Sequence, residues 1–565
     1  MKKRHTIPFL IFLIFLIFSF STIGKSADLE SDISSVKKMN SLPTTYQGVI
    51  FTFGGLGRSD SVNDVLIRMR QQNMRGTFFV TEKELRNNAD TIRNIIAYGQ
   101  EIGIGVRPNE TDGAAVIAAQ IERIRGALHG KYGIDTRLVR QMYGPDTAAV
   151  REAVASTGCL LIGQTVNVVL SKNKEAQTVA EVMPVVFNKW ATSMGRGQIA
   201  YFRMDFYTNP TLVGDMMMAV KEQKIDNIAY RTFTDTPETN PANDSAYQIC
   251  SVEDALHQTK YLYTYPCDVS TIPKDLQPGY VATPINDKNF AKEFLARYIG
   301  SPEVGTDDRM YGFDRDIMRK ADKTGVVKNA ADNTIFLTFD DWGNDTSINK
   351  LLYVLRKHHV SGTFFIITRS MPNNPNLLRS IAAAGNEIGS HTNLHRPMAI
   401  REKNGKIRDL QSPEDYTTDV TTAYERLANV VGDVTVDGRH MLTRYFRPPT
   451  LAINKVGSRI ILNAGYTYIV SGYESTEDYR AQSVSYLVGA IKAGIYDDKR
   501  HVRKGSIIIM HMSDTAKFTP QALDLVLTEN EQRPDTDPEK FKVGRLNDYL
   551  KEGYTQMMSL QRRQV

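Results

Sequence analysis

The chain has 565 residues, of which 41% are hydrophobic and 23% charged, and this balance excludes a disordered chain. The length exceeds what one hydrophobic core ordinarily serves, so two or three domains are expected. The formal net charge of +6 is small for this length and is not gathered into a basic block, so we expect no nucleic-acid partner.

The N-terminus predicts export from the cytoplasm. The basic stretch MKKRH precedes an apolar run, IPFLIFLIFLIFSFSTIG, over residues 7–24. That order is typical of a signal peptide, and the run also has the length of a short membrane span. No A-x-A cleavage site follows it. We therefore predict a signal peptide or membrane anchor over residues 1–27. The protein would be extracellular, in the cell envelope or periplasmic, either secreted or anchored in the membrane through residues 7–24.

Two segments of the sequence closely resemble each other. IFTFGGLG at Ile50–Gly57 and FLTFDDWG at Phe336–Gly343 differ chiefly because two glycines stand where the second copy has two aspartates. A shift of 286 positions, which carries Gly54 onto Asp340, also places the first GTFF segment on the second. Self-similarity at a fixed offset indicates a duplicated structural unit.

Both copies predict an α/β fold. In each, an apolar β-rich run (GVIFTF or TIFLTF) is followed by a helical stretch, a second strand and a second helix. Strands that alternate with helices in this way form a parallel sheet or barrel with the helices outside. We assign copy one to residues 45–235 and copy two to residues 333–565. Residues 236–332 open with a polar, proline-containing stretch and are predicted to be a linker or inter-domain region.

Copy two carries metal-capable side chains at predicted strand ends. Asp340 and Asp341 end one strand, His391 and His395 lie four residues apart, and His511 ends another strand. The carboxyl ends of barrel strands meet at one face, where chemistry takes place. One carboxylate and two imidazoles with an open position suit a catalytic divalent metal. Each feature alone also fits a helix cap or a surface histidine, so the functional interpretation depends on their joint occurrence.

These ordered motifs resemble those of the polysaccharide deacetylases, the NodB-homology group of carbohydrate esterase family 4. TFDD matches the first family motif, HTNLH the H-[ST]-x-x-H motif, FRPP the third and IMH the last. The resemblance implies a distorted β/α barrel that removes N-acetyl groups, and sometimes O-acetyl groups, from glycans with the help of a metal. We therefore expect two distorted (β/α) barrels in tandem after the N-terminal segment, with copy two as the catalytic domain.

The resemblance also implies a cofactor and a substrate. Asp341, His391 and His395 would hold a divalent cation, in the first place Zn²⁺, with Co²⁺, Ni²⁺ or Mn²⁺ as alternatives. The substrate would be an N-acetylated polysaccharide such as peptidoglycan, poly-N-acetylglucosamine or a chitin-like polymer. Two alternatives stay open at this point: an esterase that removes O-acetyl groups from a glycan, and a glycan-binding protein without catalysis.

Five further residues take roles by the same resemblance. Asp340 would be the general base and His511 the general acid. Arg447 would orient and tune Asp340, and Asp478 would be the supporting partner of Arg447. The backbone N–H of Thr450, together with the metal, would stabilise the oxyanion. These roles meet the needs of amide hydrolysis, which requires an activated water, charge stabilisation on the carbonyl oxygen and a proton for the leaving amine.

Copy one keeps the scaffold and loses these groups. Gly54 and Gly55 stand in place of Asp340 and Asp341, and Gly105 and Asn109 stand in place of His391 and His395. Tyr143 stands in place of Arg447, and Arg203 stands in place of His511. We therefore predict that copy one is a degenerate domain without catalysis. It would serve either as a glycan-binding module or as a structural or dimer-forming domain.

Cysteines and two adjacent histidines lie outside these motifs. Cys159, Cys250 and Cys267 form no C-x-x-C pair, which argues against a cysteine zinc site. In an exported protein Cys250 and Cys267 either form a disulfide or remain free thiols. His358 and His359 follow a predicted helix, and we expect them in a solvated C-terminal turn.

Overall fold

A computed structural model describes residues 37–187, 193–226, 247–302, 310–330 and 332–550. The predicted signal peptide or anchor over residues 1–27 lies outside these ranges. Within them, no helix is both long enough and apolar enough to cross a membrane.

The strands and helices of the first half alternate along the chain. Its strands are β1 (Gly48–Gly54), β2 (Thr77–Val80), β3 (Glu101–Val106), β4 (Leu138–Gln141), β5 (Leu160–Leu161), β6 (Val166–Asn167), β7 (Ile199–Arg203) and β8 (Gln248–Cys250). Its helices are α1 (Ser59–Gln71), α2 (Glu82–Asn87), α3 (Ala89–Ala97), α4 (Ala114–Tyr132), α5 (Ala148–Ser156), α6 (Val179–Val186), α7 (Leu212–Val220) and α8 (Val252–Leu256).

The second half repeats this alternation. Its strands are β9 (Tyr298–Ile299), β10 (Met310–Tyr311), β11 (Thr334–Asp341), β12 (Thr363–Ile366), β13 (Glu387–Ser390), β14 (Ala399–Arg401), β15 (Ile407–Asp409), β16 (Thr435–Val436), β17 (Arg439–His440), β18 (Leu442–Phe446), β19 (Ile453–Asn454), β20 (Tyr468–Val470), β21 (Glu474–Ser475), β22 (Ile507–His511) and β23 (Lys542–Val543). Its helices are α9 (Phe290–Arg297), α10 (Arg315–Lys320), α11 (Asp345–Lys357), α12 (Pro375–Ala383), α13 (Pro413–Val431), α14 (Lys455–Asn463), α15 (Val484–Ile495) and α16 (Thr519–Gln532).

Copy two forms a curled sheet of parallel strands. The strand order is β21-β22-β11-β12-β13-β18-β20-β9, and β23 pairs with β11. The central strand β11 is buried along its length except for its last residue, as its apolar sequence TIFLTF predicts for a strand covered on both faces. The α/β class with a parallel sheet is confirmed. Among the described residues the pairing does not join β21 to β9, so the expected distorted barrel takes the form of an open half-barrel.

The described residues divide into two compact units, one made of residues 37–39 with 104–162 and one made of residues 40–103 with the described residues from 163 to 550. In the first unit, β4 pairs in parallel with β5 and with the end of β3. In the second unit, β1 pairs in parallel with β2, β7 and β8. All of copy two belongs to the second unit.

The central strands of the two copies share one register. In copy two, Asp340 on β11 is paired with His511 on β22. In copy one, Gly54 on β1 is paired with Arg203 on β7. The correspondence of these positions, predicted from the sequence repeat, is therefore confirmed by the pairing of the strands.

The structure moves the boundaries of the predicted linker, because residues 236–332 supply strands to both sheets. β8 pairs with β1, and just after it the backbone N–H of Glu253 donates to the carboxylate of Glu101. In copy two, β23 pairs with β11, and the N–H of Asn547 donates to Glu387 in the same way. Copy one therefore extends to the end of α8. At the other end of the region β9 pairs with β20 and so belongs to copy two.

A buried polar cluster joins copy one to copy two within the larger unit. The Arg196 side chain is 6% exposed, and its Nη1 lies 3.4 Å from Oδ1 of Asp345. The hydroxyl of Tyr247 donates to the same carboxylate at 2.6 Å, and the side-chain amide of Asn374 donates to its other oxygen. Asp345 is the first residue of α11, so these contacts tie copy one to the helix that follows β11.

We expect the Arg196→Met variant to lose about 3 kcal/mol of unfolding free energy, because breaking a buried ion pair leaves the Asp345 carboxylate without its cation. Urea unfolding followed by circular dichroism measures this loss. The matched control is Arg319→Met, since Arg319 is 78% exposed and pairs with an exposed aspartate. That control is expected to change stability by less than about 0.5 kcal/mol. Equal losses in the two variants would contradict a special role for Arg196.

The structure decides between the two alternatives for the cysteines and corrects the expectation for one histidine. All three cysteines are buried free thiols, so no disulfide joins Cys250 to Cys267. His359 is exposed, as predicted. His358 is buried, with Nε2 2.7 Å from Asp524 and Nδ1 2.7 Å from Glu531. Burial alone would lower the pKa of His358, but these carboxylates raise it. The prediction of a solvated turn is wrong for His358, because α16 packs over this end of α11.

Candidate active site

The Asp340–Asp341 pair ends β11 at the mouth of the copy-two sheet. Asp340 is 3% exposed, whereas Asp341 is partly exposed. Asp341 has a φ of 82°, an unfavourable value for a residue other than glycine, and the strand ends at this residue. The two carboxylates therefore differ in environment: one is held inside the sheet and the other lies at its rim.

A buried arginine holds Asp340. The Arg447 side chain is fully buried, and its Nη1 donates to Oδ1 of Asp340 at 2.6 Å and to the hydroxyl of Thr338 at 2.8 Å. Its remaining donors reach the backbone carbonyls of Val470 at 3.2 Å and Ser471 at 2.9 Å. Each nitrogen of the guanidinium thus donates at least one hydrogen bond, and the guanidinium fixes the orientation of Asp340. This is the contact predicted from the sequence.

His391 follows β13, and its hydrogen bonding leaves Nε2 available as a metal ligand. Its Nδ1 lies 2.8 Å from the backbone carbonyl of Arg447, an arrangement in which Nδ1–H donates and Nε2 keeps its lone pair. Burial lowers the pKa of His391 to about 3, although the negative charge of Asp340 acts to raise it. The ring is therefore neutral at physiological pH, as metal ligation requires.

Asp341, His391 and His395 converge on one point. Nε2 of His391 lies 3.9 Å and Nε2 of His395 lies 3.7 Å from Oδ1 of Asp341. One ligand atom from each residue falls within 4.8 Å of the others, and within the described ranges no other group of three such side chains does so. A carboxylate and two imidazoles at these separations fit a divalent cation of the zinc type.

Two residues outside the sequence motifs hold the loop between these histidines. Asp419 on α13 is buried, and its Oδ1 accepts the backbone N–H groups of Asn393 at 3.0 Å and Leu394 at 2.8 Å. Arg426, also on α13, donates to the Asn393 side chain at 2.7 Å. A signal was present in the sequence, because Asp419 lies on the apolar face of an otherwise amphipathic helix.

Asp478 holds His511 and does not contact Arg447, which corrects its predicted role. Its Oδ1 lies 2.6 Å from Nδ1 of His511, and its Oδ2 accepts the backbone N–H of His511 at 2.8 Å and the hydroxyl of Thr519. Burial alone would lower the pKa of His511, but the hydrogen bond and charge of Asp478 raise it to about 9. The predicted acid is therefore protonated at neutral pH.

We expect Asp478→Asn to move the alkaline limb of the pH–rate profile to lower pH. Activity that needs protonated His511 is present below the pKa of His511 and is lost as the pH rises through it. Removing the charge of Asp478 lowers that pKa from about 9 towards its ordinary value. A cation bound nearby acts on both proteins, so the measured quantity is the difference between their kcat profiles. Superimposable alkaline limbs would contradict the assignment.

The site residues line one cleft of about 380 Å³. Its walls include both aspartates of β11, the three histidines, Thr450 and Tyr479, whose ring meets that of His511 edge-on with centroids 5.0 Å apart. Five residues other than glycine that line the cleft have positive φ, a strained conformation that clusters at functional sites: Asp341, His395, Thr450, Leu451 and Glu477. The backbone is thus bent to point these groups into the cleft.

In copy one the positions that correspond to these site residues carry different side chains, which form different contacts. Gly55, which stands where Asp341 stands, has a φ of 70°, and a side chain there would collide with the carboxylate of Asp205. That carboxylate accepts from Nε of Arg203 at 2.6 Å. An internal ion pair thus occupies the place that the aspartate and histidine take in copy two. Of the remaining substitutes, Tyr143 is 58% exposed and Asn109 bonds to neighbouring Asp112.

Comparison with known proteins assigns the same family to both copies. The sequence model of the family described as polysaccharide deacetylase matches residues 43–162 and 327–469. A chitooligosaccharide deacetylase of Bradyrhizobium sp. (strain ANU 289) is 40% identical over 178 residues, which cover 32% of this chain and 70% of the relative. Peptidoglycan-N-acetylglucosamine deacetylase PgdA of Listeria monocytogenes serotype 1/2a is 29% identical over 205 residues, 36% of this chain and 37% of the relative.

The chain thus spans little more than a third of the length of that Listeria relative. Among solved structures, PdaA of Bacillus subtilis, a family 4 carbohydrate esterase, is 21% identical with a TM-score of 0.31 and covers 40% of this chain and 83% of its own.

Proposed function

The chain belongs to the polysaccharide deacetylase family, and on this premise we propose that copy two hydrolyses N-acetyl groups of a cell-envelope or extracellular polysaccharide. One observation carries the proposal. A single cleft brings together a metal-capable triad, a carboxylate held by a buried arginine, and a histidine held protonated by a buried aspartate. These are the three groups that hydrolysis of an amide needs.

We assign the cation to Asp341, His391 and His395, with zinc as the first choice. When bound, a divalent cation supplies Lewis-acid polarisation of the acetyl carbonyl and lowers the pKa of water next to it. The protein contributes the fixed ligand set. His391 is oriented by the Arg447 carbonyl, and the turn that leads to His395 is held by Asp419.

Asp340 is the proposed general base. Its buried carboxylate lies beside the triad, with Oδ2 3.9 Å from Nε2 of His391, so it can accept the proton of a water that attacks the acetyl carbon. Arg447 stabilises the carboxylate anion and keeps one oxygen occupied, which leaves the other oxygen towards the cleft. The backbone N–H of Thr450 is the proposed donor to the developing oxyanion, since Thr450 lines the same cleft.

His511 is the proposed general acid. With a pKa of about 9 it carries a proton at neutral pH and can deliver it to the amine that leaves. An amine needs this proton more than an alcohol does, because it is the poorer leaving group. A strongly held imidazolium therefore favours an amidase over the O-acetyl esterase alternative.

The substrate class comes from the relatives. Their names identify peptidoglycan and chitooligosaccharide deacetylases. Both substrates contain N-acetylglucosamine, so we propose a polymer with this unit. Export, predicted from residues 1–27, would bring the cleft to an envelope glycan. Copy one is proposed to be a non-catalytic structural partner, because the Arg203–Asp205 pair takes the place of its ligands and buried contacts join it to copy two.

Acetate release tests the proposal. The full chain would be assayed with zinc, and with chelator, on peptidoglycan, poly-N-acetylglucosamine and chitohexaose, with an O-acetylated xylan as the ester comparison. We expect zinc-dependent acetate release from at least one N-acetylated polymer. Release from the ester alone would replace the amidase by an esterase. A protein that binds zinc without hydrolysing either class of substrate would contradict the proposal.

A further inference from the structure

A second cavity adjoins the catalytic cleft and shares His511 with it. Its volume is about 220 Å³. One wall is the first turns of α11, and the other is the segment that leads from β22 into α16. The reaction proposed above gives this cavity no role.

The cavity has an apolar floor and a cationic rim. Two lysines line it, Lys350 from α11 and Lys517 from the segment before α16. His511 also lines the cavity, but its Nδ1 lies 2.6 Å from the buried carboxylate of Asp478, so we count no net positive charge for it. Asp514 brings one opposing charge, but it is exposed and accepts the backbone N–H of Asn344 at 3.3 Å. The floor consists of the buried side chains of Leu351, Met512, Ala516 and Pro520.

Three polar side chains that line this cavity lack a hydrogen-bond or ion-pair partner among the described residues: Lys350, Lys517 and Thr346. Within the described ranges, neither Lys350 nor Lys517 forms an ion pair with a carboxylate, although the Lys517 ammonium lies 4.8 Å from the Phe518 ring centre. The hydroxyl oxygen of Thr346 is buried and has no hydrogen-bond partner in that part of the chain. A buried hydroxyl without a partner is unfavourable, so a ligand that accepts its hydrogen bond would be stabilised.

We propose that this cavity is a subsite for a short apolar substituent that ends in a carboxylate, carried by the sugar next to the one that is deacetylated. The inference rests on the proposed function, because it requires the glycan to lie in the catalytic cleft. The carboxylate accepts hydrogen bonds from Lys350, Lys517 and Thr346, and the carbon spacer covers the apolar floor. The lactyl ether of muramic acid has this form, and converting its carboxylate into an amide removes the charge.

Binding to a variant without the general base tests the subsite independently of turnover. The zinc-loaded full chain with Asp340→Asn would be titrated with a peptide-free peptidoglycan tetrasaccharide and with its lactyl methylamide. We expect the carboxylate form to bind about tenfold more tightly. Adding Lys350→Gln or Lys517→Gln should weaken binding of the carboxylate form about fivefold and of the methylamide less than about twofold. Lys542→Gln is the control, since Lys542 lies on β23 beside the first residue of β11, at the end opposite to the cleft, and its ammonium pairs with Asp332.

Three results would overturn the proposal, and the first two are equal affinity for the two forms and lysine variants that weaken both forms equally. A hyaluronan tetrasaccharide, whose carboxylate is attached to the ring without an apolar spacer, is expected to bind no more tightly than the methylamide. The third is an affinity for hyaluronan equal to that for the lactyl form, which would mean that the apolar floor does not contribute to binding. A lysine-dependent preference for the carboxylate in a protein that releases no acetate would support the subsite and contradict the proposed reaction.

Discussion

Asp340→Asn is expected to lower kcat for acetate release about 100- to 10,000-fold, the usual contribution of a positioned general base. Asparagine keeps the shape of the side chain but cannot take a proton from water. Asp341, His391 and His395 are untouched, so the variant should retain its zinc. Steady-state kinetics with metal analysis of the same samples measures both quantities. Because Arg447 loses its anionic partner, the assay temperature must lie below the lowered Tm of the variant.

Glu477→Gln is the matched control for the loss of a carboxylate in the same cleft. Glu477 lines the cleft but pairs with the exposed Arg480 and touches neither Asp340 nor the triad in the described contacts. We expect its kcat to fall less than about tenfold, as for a charge that acts only through the surrounding field. Equal losses in the two variants would mean that Asp340 contributes charge and not proton transfer.

Arg447→Met is expected to have the largest combined effect on stability and activity. It leaves the buried Asp340 carboxylate without a cation and the carbonyls of Val470 and Ser471 without donors. Loss of one partner of a buried pair costs about 3–5 kcal/mol. Activity should fall with it, because Asp340 is no longer held towards the cleft. Urea unfolding and steady-state kinetics measure the two effects.

Arg447→Lys separates these two effects. Lysine restores one positive charge but not the planar set of donors that reaches Asp340, Thr338 and two carbonyls together. We expect it to recover part of the stability while kcat stays at least about tenfold below wild type. Full recovery of kcat by lysine would show that Arg447 supplies charge alone and that the orientation of Asp340 is set elsewhere.

The sequence predicted the parts of the site that depend on strand ends. Asp340, His391 and His511 end strands or directly follow them, and parallel strands of one sheet bring such residues to one edge. The sequence repeat also placed Gly54 and Arg203 correctly, because strand register follows from the apolar pattern. These features are local, and their arrangement in space follows from the topology of the sheet.

Features set by loops and by distant contacts could not be predicted in the same way. The partner of Asp478 depends on the turn at Glu477, whose φ of 47° no sequence pattern specified. β8 is only three residues long and follows a polar stretch, so its pairing with β1 gave no detectable signal. His358 stands at the end of a helix in the sequence, but α16 approaches it from more than 160 residues away.

Copy one illustrates how a duplicated fold can keep its packing after its chemistry has changed. The register of β1 and β7 is retained, while an internal ion pair between Arg203 and Asp205 stands in for the aspartate and histidine of copy two. Its buried contacts through Arg196 tie it to the helix that follows β11 in copy two. Loss of those contacts would leave Asp345 buried without its cation.

Metal stoichiometry distinguishes one metal-binding copy from two, because the only complete ligand set among the described residues lies in copy two. The full chain would be loaded with zinc, dialysed and analysed for bound metal, beside Asp341→Ala and acetate-release assays on both. We expect one zinc per chain in the wild type, and neither zinc nor activity in the variant. A second zinc per chain, or a variant that keeps its metal and its activity, would contradict this expectation.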